Sequence, residues 1–134
     1  MPERVVFDTN VWISGLLWRG RPYRCLLLAR ARVVEAVYCD PMAAELSEKL
    51  RSRFGFSENR IHAAIYDLRR AGTRVDITGN LHIVTDDSDD DKFIECAIVA
   101  QAKIIVSGDH HLLRLGKYGD VTILTTADFL ERDA

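Results

Sequence analysis

Short β-branched or aromatic runs alternate with longer helical patterns along nearly the whole chain, and this alternation restricts the fold more than any other feature. Arg4-Val5-Val6-Phe7, Val33 to Tyr38, Arg74 to Ile77, Ile104-Ile105-Val106-Ser107 and Val121 to Leu124 read as strands. His82-Ile83-Val84 reads as a short extended piece. Between them lie helices. Val11 to Leu17 reads as one or two helical turns, and Pro22 suits the first position of a helix running to about Ala31. Asp40-Pro41 reads as an N-cap and first residue, with Met42, Leu46, Leu50 and Phe54 as the buried stripe and Gly55 as the stop. Ser57 opens the next helix, with Ile61, Ile65 and Leu68 as its apolar face and Gly72 at its end. Further helices follow from the acidic run to about Gln101, from His110 to Leu115, and from Ala127 to Arg132 behind Thr126 as cap. Strands separated by helices predict an α/β fold with a mainly parallel sheet. In such sheets ligands bind outside the carboxyl ends of the strands.

At 134 residues the chain is expected to form a single domain, 1–134, with one sizeable core. Hydrophobic residues at 48% and charged residues at 28% suit an ordinary globular protein and exclude a disordered one. Apolar runs such as Ile104-Ile105-Val106 are far too short to span a bilayer, so no membrane role is expected. Met1-Pro2-Glu3-Arg4 passes directly into a strand without a signal-peptide pattern. Cys25, Cys39 and Cys96 lack CxxC spacing and have apolar neighbours, which points to buried reduced thiols and a cytoplasmic location.

The net charge of −2 conceals an asymmetry. Arg19 to Arg74 carries twelve Arg or Lys against six Asp or Glu, whereas Val75 to Ala134 carries five against twelve. Arginine dominates the basic half, and guanidinium groups suit phosphate oxygens. For any single arginine, solubility and pairing along exposed helix faces is the simpler role.

The acidic half is concentrated in Thr85-Asp86-Asp87-Ser88-Asp89-Asp90-Asp91, which leads straight into Lys92-Phe93-Ile94-Glu95-Cys96-Ala97. Taken alone, this run reads as a solvated loop whose last residues cap a helix. The competing reading, which the run alone does not favour, is half of a divalent-metal site, since carboxylates packed this closely repel unless a cation lies among them. Other carboxylates bear on the choice. Asp8 follows the first strand immediately, Asp109 lies two residues after the Ile104 strand, and Glu45 sits about one turn into the helix after the second strand. Each has an ordinary role when taken singly, as a cap or an exposed helix residue. Jointly they fall at one edge of the sheet.

Three or four carboxylates with no obvious nucleophile suit hard cations, Mg²⁺ or Mn²⁺, which prefer octahedral oxygen coordination. A metal held in this way serves hydrolytic phosphoryl chemistry. No GxxxxGK[ST], GxGxxG or GxSxG motif is present. His110-His111 reads as a surface turn, because adjacent side chains rarely point at one ion.

Val5-Val6-Phe7-Asp8-Thr9-Asn10-Val11, Glu45-Leu46, Asp87-Ser88-Asp89-Asp90-Asp91-Lys92-Phe93-Ile94-Glu95-Cys96-Ala97 and Ile105-Val106-Ser107-Gly108-Asp109-His110-His111-Leu112-Leu113 together resemble the PIN-domain nucleases. The likeness is to the subgroup described as toxin components of toxin–antitoxin pairs, and it runs from Val5 to about Leu130. It implies a three-layer α/β/α fold and a single-strand-selective ribonuclease with an acidic Mg²⁺ or Mn²⁺ pocket. By matching position, Asp8, Glu45, Asp90 and Asp109 are the implied pocket acids, with Asn10 and Ser107 as the polar residues that orient them. A homodimer and a cognate antitoxin protein are implied as partners. The extra acids of the run, Asp89 and Asp91, depart from the family pattern.

Helical register selects among the acids of the run. If the helix starts near Ser88, Asp90 shares its face with Phe93, Ile94 and Ala97 and points inward. Asp91 falls on a mixed boundary, and Asp87 falls before the helix. Together with the acids the resemblance implies, this makes Asp8, Asp90 and Asp109 the expected metal ligands. Glu45 completes the pocket directly or through water, and Asp87 or Asp91 lies further out or beside a second ion. The alternatives are a phosphohydrolase or DNA nuclease using the same acids, and an inactive RNA- or partner-binding domain of the same fold.

Overall fold

The computed structural model describes residues 2–83 and 88–132. The chain opens with β1 (Glu3–Phe7), α1 (Thr9–Leu17), α2 (Arg21–Arg30), β2 (Val34–Tyr38), α3 (Asp40–Ser52), α4 (Glu58–Ala71) and β3 (Gly72–Arg74). A 3-10 turn over Ser88–Asp90 then leads into α5 (Asp91–Ala100). It is followed by β4 (Ile104–Val106), α6 (His110–Leu115), β5 (Lys117–Tyr118), β6 (Val121–Leu124) and α7 (Thr126–Glu131).

Among the described residues one six-stranded sheet forms, in the order β3-β2-β1-β4-β6-β5. Every pairing is parallel except β5 with β6. The central strands are apolar on both faces because both faces are covered. Val5, Val6 and Phe7 of β1 and Ile105 and Val106 of β4 are wholly buried. Helices α1 to α4 and α7 pack against one another, while α5 lies across β1, β2, β4 and β6. Right-handed crossovers account for the two layers. The chain moves one way from β1 to β3 and the other way from β3 to β4 and β6, which puts the connecting helices on opposite faces. The result is the expected three-layer α/β/α arrangement. Phe7 ties the sheet to the layer of α1 and α7, meeting Trp12 and Phe129 edge-on with ring centroids 6.2 and 5.8 Å apart.

Several boundaries differ from the sequence reading. The third strand is Gly72–Arg74, not Arg74 to Ile77, because α4 passes directly into a strand paired with Ala36, Val37 and Tyr38 of β2. Cys39 is the N-cap of α3, and Asp40 falls inside the first turn, where its carboxylate meets Arg74 Nη2 at 2.7 Å. Phe54 was expected in the buried stripe, but α3 ends at Ser52 and leaves Phe54 exposed. Thr125, not Thr126, caps α7. Residues 81–83 form no regular element, and Val84 lies outside the described residues. The β5–β6 hairpin is unanticipated. Its two-residue turn carries Gly119 at φ +57°, a conformation that glycine adopts without strain.

Strand order reverses between β1 and β4: the chain goes from β1 to β2 on one side and from β4 to β6 on the other. The carboxyl ends of these two neighbours are where a crevice opens in such a sheet.

Candidate metal centre

Asp8 is the residue at the end of β1 and the N-cap of α1. Its backbone N–H donates to the Val106 carbonyl at 3.0 Å, which registers it against β4. Its Oδ1 accepts from the Val11 N–H at 2.9 Å, and its Oδ2 accepts from the Ser107 hydroxyl. Ser107 is wholly buried, and its oxygen also accepts from the Asp109 N–H at 2.9 Å. One hydroxyl thus links the acids that end β1 and follow β4. Asp8 is 1% exposed. Burial raises its pKa, the Ser107 and Val11 donors pull against that rise, and the nearby Asp109 charge adds to it.

Asp109 is the N-cap of α6, and its Oδ1 accepts from the His111 N–H at 2.7 Å and the Leu112 N–H at 3.3 Å. Burial works to raise its pKa, and those donors, together with a hydrogen bond from the Asp90 side chain, outweigh it, so the carboxyl is held below its ordinary value. Asp90 ends the 3-10 turn, caps α5 and is buried. The early onset of turning at Ser88 brings Asp90 over the sheet edge beside Asp109. One candidate ligand atom from each of Asp90, Asp109 and His111 lies within 4.8 Å of the others.

Glu45 reaches the same place from α3. Lys92 Nζ stands 2.7 Å from its Oε2, and Lys49 Nζ 3.8 Å from its Oε1. Burial pushes the Glu45 pKa up, and the Lys92 ammonium, the Thr9 hydroxyl and the Lys49 charge more than reverse it. Lys92 also donates to the Asp89 carbonyl, fastening the 3-10 turn to α3. Asn10 is exposed at the mouth, its Oδ1 accepting from Lys49 Nζ at 3.4 Å. Asp8, Thr9, Asn10, Glu45, Lys49, Arg53, Asp89, Asp90, Phe93 and Asp109 line one cleft of about 160 Å³.

The cleft therefore brings together Asp8, Glu45, Asp90 and Asp109, with Ser107 beneath them and Asn10 at the rim. Asp91 is placed elsewhere. Its Oδ1 accepts from the Ile83 N–H at 3.0 Å, and it lines a separate hollow with Pro41, Leu81 and Glu95. Asp87 lies outside the described residues. Sequence reasoning overlooked Lys49 and Lys92 and set His111 aside as part of a surface turn. The four-residue spacing Glu45-Lys49-Arg53 was the available signal for a mixed-charge face on α3. His111 had no such signal, because its position depends on how α6 leaves Asp109.

The donor set fits a divalent cation. Carboxyl oxygens from four elements face one small cleft, and Asp90 and Asp109 approach closely enough that like charges there call for a cation or a shared proton.

The family model described as a PIN domain matches residues 4–111. The chain belongs to the PIN-domain family. This gives the acidic cleft its context, since PIN domains are nucleases. Similar solved structures include VapBC2 from Rickettsia felis, crystallised bound to a DNA fragment from the promoter. There the identity is 14%, 91% of this chain and 98% of the other are covered, and the TM-score is 0.63. The T. brucei RRP44 PIN domain is similar at 13% identity over 99% of this chain and 82% of the other, with a TM-score of 0.53. At these identities the likeness is one of fold. A comparison with curated proteins finds no match.

Proposed function

We propose that this PIN domain is a Mg²⁺- or Mn²⁺-dependent endoribonuclease that cleaves single-stranded RNA and serves as the toxin of a toxin–antitoxin pair. The observation that carries the reading is the meeting of Asp8, Glu45, Asp90 and Asp109 in one cleft at the carboxyl ends of β1 and β4. Asp8, Asp90 and Asp109 would hold the metal, and Glu45 would complete the pocket. When bound, a divalent ion supplies an activated water and neutralises charge on the phosphodiester.

The chain's own residues do the rest. Ser107 holds Asp8 and Asp109 in a fixed relation through its hydroxyl. Lys92 and Lys49 keep Glu45 ionised and aimed at the cleft. Lys49 and Arg53 bring positive charge to the pocket wall, where a polyanionic strand would pass. An antitoxin partner is supported by the likeness to a VapBC2 chain, and a homodimer by the family resemblance.

The test is cleavage of labelled single-stranded RNA with and without added Mn²⁺, wild type beside Asp8→Asn, with DNA and nucleotide phosphates as competing substrates. Cleavage of RNA that requires the metal and falls at least 10²-fold in Asp8→Asn is expected. Undiminished cleavage by a well-folded Asp8→Asn protein would overturn the mechanism. Preferential hydrolysis of DNA or nucleotides would overturn the assigned substrate.

A further inference from the structure

His111 departs from an all-carboxylate centre. It is the second residue of α6, half-buried, and its ring lies 4.4 Å from that of His110. Its Nδ1 is shielded from solvent and has no hydrogen-bond partner among the described residues. Asp109 does not satisfy it: the Asp109 Oδ1 lies 3.7 Å away and is already engaged by the His111 and Leu112 N–H groups. That separation is beyond a hydrogen bond. Buried polar atoms are nearly always paired, and an unpaired ring nitrogen beside two carboxylates calls for a partner.

A divalent cation is a partner that this trio can share, because single ligand atoms of Asp90, Asp109 and His111 already fall within 4.8 Å of one another. The identity of the donors then bears on which cation. Carboxylate oxygens serve Mg²⁺ and Mn²⁺ alike, whereas an imidazole nitrogen favours transition ions and is a poor ligand for Mg²⁺.

Resting on the reading of the cleft as a metal centre, we propose that His111 is a direct nitrogen ligand, making the pocket selective for Mn²⁺ and softer divalent ions such as Zn²⁺ over Mg²⁺. His110 shares no such cluster and takes no part. The pairing is specific to the turn after Asp109, where one residue supplies a backbone N–H to the acid and a ring to the ion.

The experiment is calorimetric titration of metal-free, full-length protein with Mn²⁺, Zn²⁺ and Mg²⁺, for wild type, His111→Ala, His111→Gln, His110→Ala and Asp8→Asn. Thermal melts establish that each variant is folded. His111→Ala and His111→Gln are expected to weaken Mn²⁺ and Zn²⁺ binding about 10- to 100-fold, a range known from disturbing metal-site residues. Mg²⁺ affinity should change far less, and His110→Ala should match wild type. Electron spin-echo spectra of the Mn²⁺-loaded wild type should show nitrogen coupling that is absent in His111→Ala loaded to saturation. Equal losses for Mg²⁺ and Mn²⁺, or nitrogen coupling that persists in His111→Ala, would overturn the assignment of His111. Metal binding that is weakened by Asp8→Asn but unchanged in both His111 variants would overturn it too, and would leave the metal centre standing. Failure of wild type to bind any of the three ions would overturn both.

Discussion

Burial of Asp8 favours its protonated acid, and the two donors on its oxygens do not fully compensate. The folded pKa of Asp8 therefore lies above its unfolded value. A carboxyl shifted in that direction favours the fold at low pH, and this contribution is lost as pH rises through the folded pKa. Without metal, the ionised form of Asp8 is disfavoured in the fold, a cost that a bound cation would relieve. Asp8→Asn removes the charge while keeping a side-chain oxygen for the Val11 N–H. The metal-free variant is expected to melt above wild type at pH 7, with the difference shrinking as pH falls through the Asp8 titration. Calorimetric melts across the acid range check this, and an Asp8→Asn protein that melts below wild type at pH 7 contradicts it. The same residue was legible in the sequence because it stands directly at a strand end. Ser107 was nameable only through the family likeness, since nothing in its neighbours tells that its hydroxyl faces Asp8 across two strands. His111 was set aside for a sound local reason, and its approach to Asp90 and Asp109 is what the exit of α6 from Asp109 adds.

Elements whose apolar pattern matches their burial were readable from the chain: β4 as a continuous apolar run, β1 by Val5-Val6-Phe7, β2 as an apolar run broken only by Glu35, and α4 by its spaced Ile61 and Leu68. Elements set by pairing alone were not. Gly72-Thr73-Arg74 has no strand pattern, and it extends only because β2 offers it an edge. The segment after it shows the same dependence. Glu95, from the middle of α5, accepts from the Thr78 N–H at 2.6 Å, the Thr78 hydroxyl at 2.8 Å and the Gly79 N–H at 3.0 Å. Partial burial works to raise the Glu95 pKa, and these donors, with the Leu81 N–H, bring it below the ordinary value. A carboxyl shifted downward stabilises the fold above its unfolded pKa and loses that contribution as pH falls through the folded pKa. Glu95→Gln removes the charge that strengthens these bonds. It should destabilise the protein by about 1–3 kcal/mol at pH 7, with loss of amide-exchange protection at Thr78 and Gly79. The gap from wild type should narrow below pH 4. Unchanged protection at those two amides would show that the segment is held by something else.

Across the whole molecule, part of the basic half of the chain is engaged by neighbouring acids and rings. Arg51 pairs with Glu58 at 2.8 Å, Arg74 with Asp40 and Asp76 at 2.7 Å, and Arg60 stacks on Phe56 at 3.7 Å. Arg51 and Arg74 are therefore engaged with carboxylates, the simpler of the two expected roles, while most of the other arginines of that half make no ion pair among the described residues. Arg53 is set apart by its place: exposed and without an ion pair among the described residues, it is the arginine that lines the acidic cleft. Glu45, Lys49 and Arg53 recur every four residues, so α3 carries one stripe that runs from the acids out to free positive charge. A nucleic-acid backbone entering the cleft would follow that stripe. Binding of labelled single-stranded RNA to Asp8→Asn protein, which keeps the strand intact, measures it without cleavage. Adding Lys49→Ala and Arg53→Ala should remove two phosphate contacts and flatten the dependence of log affinity on log salt by about 1.4. Arg51→Ala and Arg74→Ala in the same background should leave that slope unchanged, since both are held by carboxylates at hydrogen-bond distance, whereas Lys49 stands 3.8 Å from Glu45. If all four substitutions lowered the slope equally, the strand would be held by diffuse basic charge and not by the α3 stripe. If only the first pair did, the direction of the RNA across the sheet edge would follow from the axis of α3.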